Sequence, residues 1–218
     1  MLGRASFVAA ILVSFAAHAA PLVFFPFSAD LTTVTVAPNY STTGVDTTHL
    51  SNAYVGNDGY GNVFEAYPAQ NATSASTALA NNSFFSVTVG TTLSGGLDLQ
   101  SISFDVGKGG SSDPRGYAIY GSLDGFATPL LSVQLPTGTQ TAPAPSVVNL
   151  PTAYATQSSA TFEFFVYTPS NTNNSVDFSN LSFNSISAVP EPRTAAMLAT
   201  GVLALAGVTV ARRRRRSV

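Results

Sequence analysis

Thr161-Phe162-Glu163-Phe164-Phe165-Val166-Tyr167-Thr168 is an extended segment with two different faces. Phe162, Phe164 and Val166 recur at every second position and so share one side of a strand, with Glu163 on the other. Phe165 and Tyr167 make that other side apolar in part, the pattern of a central strand covered on both faces. A polar turn over residues 169–175 separates it from a second apolar strand over 176–187.

The same period of two recurs upstream, and helical periodicity is hard to find between Pro21 and Ala188. Strands are expected over 22–27, 32–36, 62–67, 84–89, 116–122 and 129–135. Pro38-Asn39, Gly44 and the run Gly56-Asn57-Asp58-Gly59-Tyr60-Gly61 are read as the separators, and Asp124-Gly125 as a tight turn. Residues 107–112 and 136–145 read as loops, and 69–80 as a loop with a short helix as the alternative. Leu97 and Leu99 have one parity, and Ile102, Phe104 and Val106 the other. A bulge near Gln100-Ser101 would turn all five inward. Eight to ten such strands with no repeat imply an all-β fold, a β-sandwich of jelly-roll or lectin-like type.

Charge is segregated along the chain. Between residues 20 and 188 there are ten acids against only Lys108 and Arg115, a balance of −8 that the whole-chain value of −2 conceals. Such a surface argues against nucleic acid or an anionic membrane face as partner. The absence of cysteine removes disulfides, thiolate metal sites and cysteine nucleophiles together. At 169 residues this segment is long enough for one domain with a full core.

The two ends read as addresses. Met1 to Arg4 form a short basic start, residues 7–17 an apolar stretch, and Ala17-His18-Ala19 a small-x-small cleavage site, so residues 1–19 are expected to be a secretory signal peptide. At the other end Val189-Pro190-Glu191-Pro192 precedes an uncharged apolar run of seventeen residues, 195–211, and then Arg212, Arg213, Arg214, Arg215 and Arg216. As a helix that run spans about 25 Å, at the short end for a membrane crossing. The arginines beside it are expected to stay on the cytoplasmic side, leaving the rest of the chain outside.

This ordered combination over residues 189–218 resembles the PEP-CTERM sorting signal of Gram-negative bacteria that make exopolysaccharide, and Pro190-Glu191-Pro192 matches its motif residue for residue. The resemblance implies recognition by an exosortase, a membrane-embedded transpeptidase-like enzyme that cuts near the motif. The two prolines suit that use, because they hold Glu191 in extended chain. Removal of the tail and its retention as a single-span anchor are both compatible with the residues, and the resemblance favours removal. The segments Ser101-Ile102-Ser103-Phe104-Asp105-Val106, Pro114-Arg115-Gly116-Tyr117-Ala118-Ile119-Tyr120, Ser122-Leu123-Asp124-Gly125-Phe126 and Val176-Asp177-Phe178-Ser179-Asn180-Leu181 are similar to ectodomains that stand before this signal. That similarity covers residues 83–188 and implies a lectin-like or carbohydrate-binding sandwich without a defined activity.

Groups suited to catalysis are scarce. His49, the one histidine left after signal cleavage, reads as a surface loop residue, and there is no Gly-x-Ser-x-Gly elbow to make a triad. Glu163, Asp105 and Glu65 could be paired carboxylates of a glycosidase, but each reads as the polar side of its strand. No enzyme activity and no obligatory cofactor are therefore expected. Asn57, Asp58 and Asn62 offer oxygen ligands for Ca²⁺ on a turn, though their spacing is not that of an EF-hand. Tyr54, Tyr60, Tyr67, Tyr117 and Tyr120 are rings on which a sugar could stack, in a segment without tryptophan. The expected role is an exported surface or matrix protein that crosses the cytoplasmic membrane, is processed by an exosortase and associates with exopolysaccharide. The alternative is a carbohydrate-binding module with a defined glycan site.

Overall fold

The computed structural model describes residues 21–185. The segment 1–19 expected to be a signal peptide, with Ala17 and Ala19, the motif Val189 to Pro192, the apolar run 195–211 and Arg212 to Arg216 lie outside the described residues. Eleven strands are found: β1 (Pro21–Phe25), β2 (Thr35–Val36), β3 (Tyr40–Asn57), β4 (Asn62–Pro68), β5 (Phe84–Thr91), β6 (Leu99–Lys108), β7 (Gly116–Gly121), β8 (Pro129–Gln134), β9 (Thr141–Asn149), β10 (Ser159–Tyr167) and β11 (Val176–Ser185). One short helix, α1 (Ala75–Ala80), interrupts them. The fold is all-β, and every strand pairing is antiparallel.

The alternation read in residues 161–168 has the expected result. β10 lies between β5 and β7, and Phe162, Phe164 and Val166 are all fully buried. The chain then crosses over, because β11 pairs not with β10 but with β6 along one side and with β4 and β1 along the other. Strands β9-β6-β11-β4 form one layer and β8-β7-β10-β5 the other. Rings from the two layers meet in between: Phe164 of β10 packs edge-on against Phe104 of β6 at 6.0 Å and Phe178 of β11 at 6.2 Å, and Phe162 tilts against Phe183 at 5.6 Å. Burial of these rings, each removing some 150–250 Å² from water, is the main driving force for the assembly.

The strand that joins the layers is the one the sequence conceals. β3 runs for 18 residues without one buried position, pairing with β5 through its first half and with β4 through its second. Gly44, expected to be a separator, lies inside this strand at φ 81°, where the register slips by one residue between Thr42 and Val45. A glycine there supplies the left-handed conformation that a bulge needs. His49 is therefore in a strand and not a loop, exposed and stacked on Phe84 at 4.3 Å.

Other expectations fare unevenly. The bulge at Gln100 is present: Asn184 faces Ser101 and Ser185 faces Leu99, so Gln100 has no opposite number, and Leu97, Leu99, Ile102, Phe104 and Val106 are all buried. The loop expected at 136–145 gives way to β9 from Thr141 onward. Pro143 and Pro145 are tolerated there because β9 is an edge strand that pairs only with β6. The loop expected at 107–112 begins two residues late, since β6 runs to Lys108. Asp124-Gly125 is not a two-residue hairpin: residues 122–124 form a 3-10 turn closed by Gly125 at φ 69°. Within 69–80 the helix alternative holds, with Ser74 capping α1 by accepting the Thr77 amide at 3.2 Å. α1 covers a second, smaller apolar cluster of Ala78, Ala118, Tyr120 and Phe165 on the outside of β7 and β10.

Candidate functional site

The β3–β4 hairpin ends in the turn 58–61, and its side chains are used to shape it. Asn57 Oδ1 accepts the Gly59 amide at 2.9 Å and Asp58 Oδ1 accepts the Tyr60 amide at 2.8 Å. These bonds project Tyr60 outward with 59% of its surface exposed. Beneath it the outer face of the β9-β6-β11-β4 layer carries a groove of about 600 Å³, lined among others by Tyr60, Asn62, Asp105, Pro143 and Asn180. A bulge in β11 sets its floor. Asn180 takes φ 53° where the register slips between Ser179 and Ser182, and its Nδ2 donates to Asp105 Oδ2 at 2.7 Å. An exposed ring beside a carboxylate and amides, with no cation among the lining residues, is chemistry for a neutral, hydroxyl-rich ligand.

Next to the groove, on the same face, lies a buried polar cluster. Asp177 and Glu65 are cross-strand partners on β11 and β4. Glu65 Oε2 accepts the hydroxyls of Tyr54 at 2.9 Å and Tyr67 at 2.7 Å, and desolvation, followed by the hydrogen bonds of Tyr67 to Tyr54 and to Glu65, raises the Tyr67 phenol well above its ordinary value. Asp177 is wholly buried. Its Oδ1 accepts from Ser175 Oγ at 2.5 Å and its Oδ2 has no partner. Burial pushes its carboxyl up to about 7, Glu65 and Asp58 push in the same direction, and Ser175 and Arg115 oppose them.

The two cations of the domain hold the cluster together from beneath its loops. Arg115, fully buried, donates to the carbonyls of Ser112 at 2.9 Å, Ser175 at 3.1 Å and Gly109, and to Asn174 Oδ1 at 3.1 Å. Lys108 Nζ donates to Asp113 Oδ1 at 3.0 Å and to the Gly138 carbonyl at 2.8 Å, while the Gly138 amide donates to Asp113 Oδ2 at 2.7 Å. The Gly138 amide and then Lys108 hold the Asp113 carboxyl below the usual range. Thus anchored, the loop 135–140 reaches across the sheet, where Gln140 Nε2 donates to the Asp58 carbonyl.

The sequence-derived candidates separate accordingly. Of the five tyrosines, Tyr67, Tyr117 and Tyr120 are buried, so only Tyr54 and Tyr60 present rings outward. Tyr117 lies in the core with its hydroxyl 3.0 Å from Ser146 Oγ of β9. Glu65 and Asp105 share one layer, but Glu163 stands on β10 in the other, where burial raises its carboxyl. Asn57, Asp58 and Asn62 do not converge: Asn57 caps the turn, Asn62 Nδ2 donates to the Ser28 carbonyl, and Asp58 alone keeps a buried unpartnered oxygen, Oδ2. Among the described residues no three His, Cys, Asp or Glu side chains gather as a metal site. Asp177 was missed because strand parity places it on the face opposite Phe178, and Asn180 because it shares the parity of Phe178 and only the bulge between Ser179 and Ser182 turns it outward. The only available sign was one acid between Val176 and Phe178.

No family model matches the chain, and no curated protein matches it. Among solved structures, the K3 cleaved adhesin domain of Lys-gingipain from Porphyromonas gingivalis W83 is similar at 14% identity and TM-score 0.44, over 76% of this chain and 100% of that one. The K1 cleaved adhesin domain of the same protein gives 13% and 0.37, over 74% and 96%. A Stig cyclase from Fischerella sp. TAU gives 15% and 0.36, over 81% and 92%.

Proposed function

We propose that the chain is an exported, non-catalytic surface or matrix protein that associates with a neutral polysaccharide through the groove beneath Tyr60. The observation that carries this reading is the groove itself: a fixed, exposed ring set above a carboxylate and amides, with its shape imposed by the turn 58–61 and the β11 bulge. Such fixed geometry favours the narrower form of the proposal, a carbohydrate-binding module with a defined glycan site. The pairing orders of the two layers, β4-β11-β6-β9 and β5-β10-β7-β8, support reading the sandwich as a jelly roll.

Delivery follows from the terminal signals. Cleavage after Ala19 releases the signal peptide, residues 195–211 lodge transiently in the cytoplasmic membrane with Arg212 to Arg216 inside, and an exosortase acts at Val189-Pro190-Glu191-Pro192. Intact-mass measurement of protein recovered from the producing cells tests this: chains ending near the motif support processing, and chains still carrying residues 195–218 overturn it. Affinity electrophoresis of the same protein through gels holding neutral or acidic polysaccharides tests binding. Retardation by a neutral glycan is expected, and free migration through every gel would overturn the glycan role.

A further inference from the structure

We propose that Asp58 and Asp177 hold a hard divalent cation between the β3–β4 turn and the face of β11, clamping the rim of the groove to the sheet. The argument begins with two oxygens. Asp58 Oδ2 and Asp177 Oδ2 are the buried side-chain oxygens among the described residues that lack any hydrogen-bond partner, and Asp177 is completely out of solvent. A buried carboxylate oxygen without a donor is costly, by several times the worth of an ordinary surface contact. Both orphans belong to one small region.

Backbone contacts bring them there. Asp58 gives its carbonyl to Gln140; the next residue, Thr141, lays its own carbonyl over Gly107, so that a Cβ on Gly107 would fall 2.6 Å from it. Gly107 is in turn the cross-strand partner of Asp177. The turn and the 135–141 segment therefore form a roof above Asp177. Space is kept beneath that roof by glycine, since a Cβ on Gly109 would stand 3.3 and 3.5 Å from the two Asp177 oxygens.

Charge points the same way. Around this spot Lys108 and Arg115 face Asp58, Glu65, Asp113 and Asp177, two positive groups against four negative ones. Lys108 is spent on Asp113, and Arg115 donates to carbonyls and an amide and not to Asp177. A divalent ion would restore the balance. The donors are all oxygen, with neither histidine nor cysteine at hand, which selects Ca²⁺ or Mg²⁺ over zinc; two carboxylates with carbonyls and water suffice for such an ion.

The test is thermal unfolding of the full-length protein after treatment with EDTA, titrated with CaCl₂ and, separately, MgCl₂, alongside calorimetry of binding. A saturable rise in Tm of about 5–10 °C at a hundredfold excess over Kd is expected with at least one of the two. Asp58→Asn and Asp177→Asn should each abolish it, whereas Asp46→Asn, on the opposite layer, should leave it intact. Asp177→Asn removes a buried charge and should still fold, so its loss of response is readable. No saturable response to either ion in the wild type, or a response that survives in the Asp58→Asn, Asp177→Asn double variant, overturns the proposal.

Discussion

Asp177 and Glu65 stand directly opposite one another on β11 and β4, yet Glu65 accepts two hydroxyls, from Tyr54 and Tyr67, while the wholly buried Asp177 accepts one, from Ser175, and keeps Oδ2 without a partner. The inequality leaves Asp177 as the group whose ionisation costs the fold most. Its carboxyl titrates at about 7 in the folded protein against an ordinary value of 3.8. A carboxyl raised in this way favours folding while it stays protonated. Its contribution is complete below pH 4 and is lost as the pH climbs through about 7. At about 1.4 kcal/mol per pH unit the loss is bounded near 4 kcal/mol. Urea unfolding in EDTA should therefore show the wild type weaker at pH 8 than at pH 5, and Asp177→Asn should flatten that slope. Equal slopes in both proteins would refute the assignment.

Arg115 has no such slack. Replacing it with methionine would strand the carbonyls of Gly109, Ser112 and Ser175 and the Asn174 amide oxygen. A loss of about 3–5 kcal/mol is expected, and lysine should not rescue it, because a point charge cannot reach this fan of acceptors. The denaturant midpoint of the two variants decides the matter.

Gly107→Ala should strain the roof. Its new methyl would meet the backbone of Thr141 and Pro143, at 2.6 and 3.0 Å, and neither is the loose end of a side chain. A cost of about 1–3 kcal/mol is expected, with faster hydrogen exchange confined to the start of β9. Uniformly faster exchange would mean that the strain is not local.

Tyr60→Ala should weaken polysaccharide binding by about 1 kcal/mol, near fivefold in Kd, with Tm unchanged because the ring is 59% exposed. Tyr54→Ala removes a donor to Glu65 and should instead lower Tm. If both variants bind as the wild type does, the groove is not the site.

The strands that carry the core were legible because aromatic and β-branched residues alternate in them. Phe162, Phe164 and Val166 show this, as do Phe85, Val87 and Val89, and even the bulge at Gln100 followed from parity alone. β3 escaped because it buries nothing fully and breaks its own period three times, at Gly44, between Asp46 and His49, and between Leu50 and Asn52. β9 escaped because proline argues against a strand unless the strand is known to be at an edge, which is a fact of topology. Tyr60 could be read from its glycine-rich turn. Asp177 could not be assigned its role, since a roof supplied by residues thirty-five or more positions away has no local signature.

The passage of β3 from one layer to the other gives the sandwich a spine, as in a book, with β8 and β9 as its fore-edge. The other edge is closed as well, by the loop 135–140 that joins β8 to β9 and is held at Gly138 by Lys108 and Asp113, and by the Tyr117 hydroxyl reaching across to Ser146. A force that peeled β9 from β6 should accordingly open the Tyr60 groove, because Pro143 of its wall lies on β9 while its rim turn joins the end of β3 to β4.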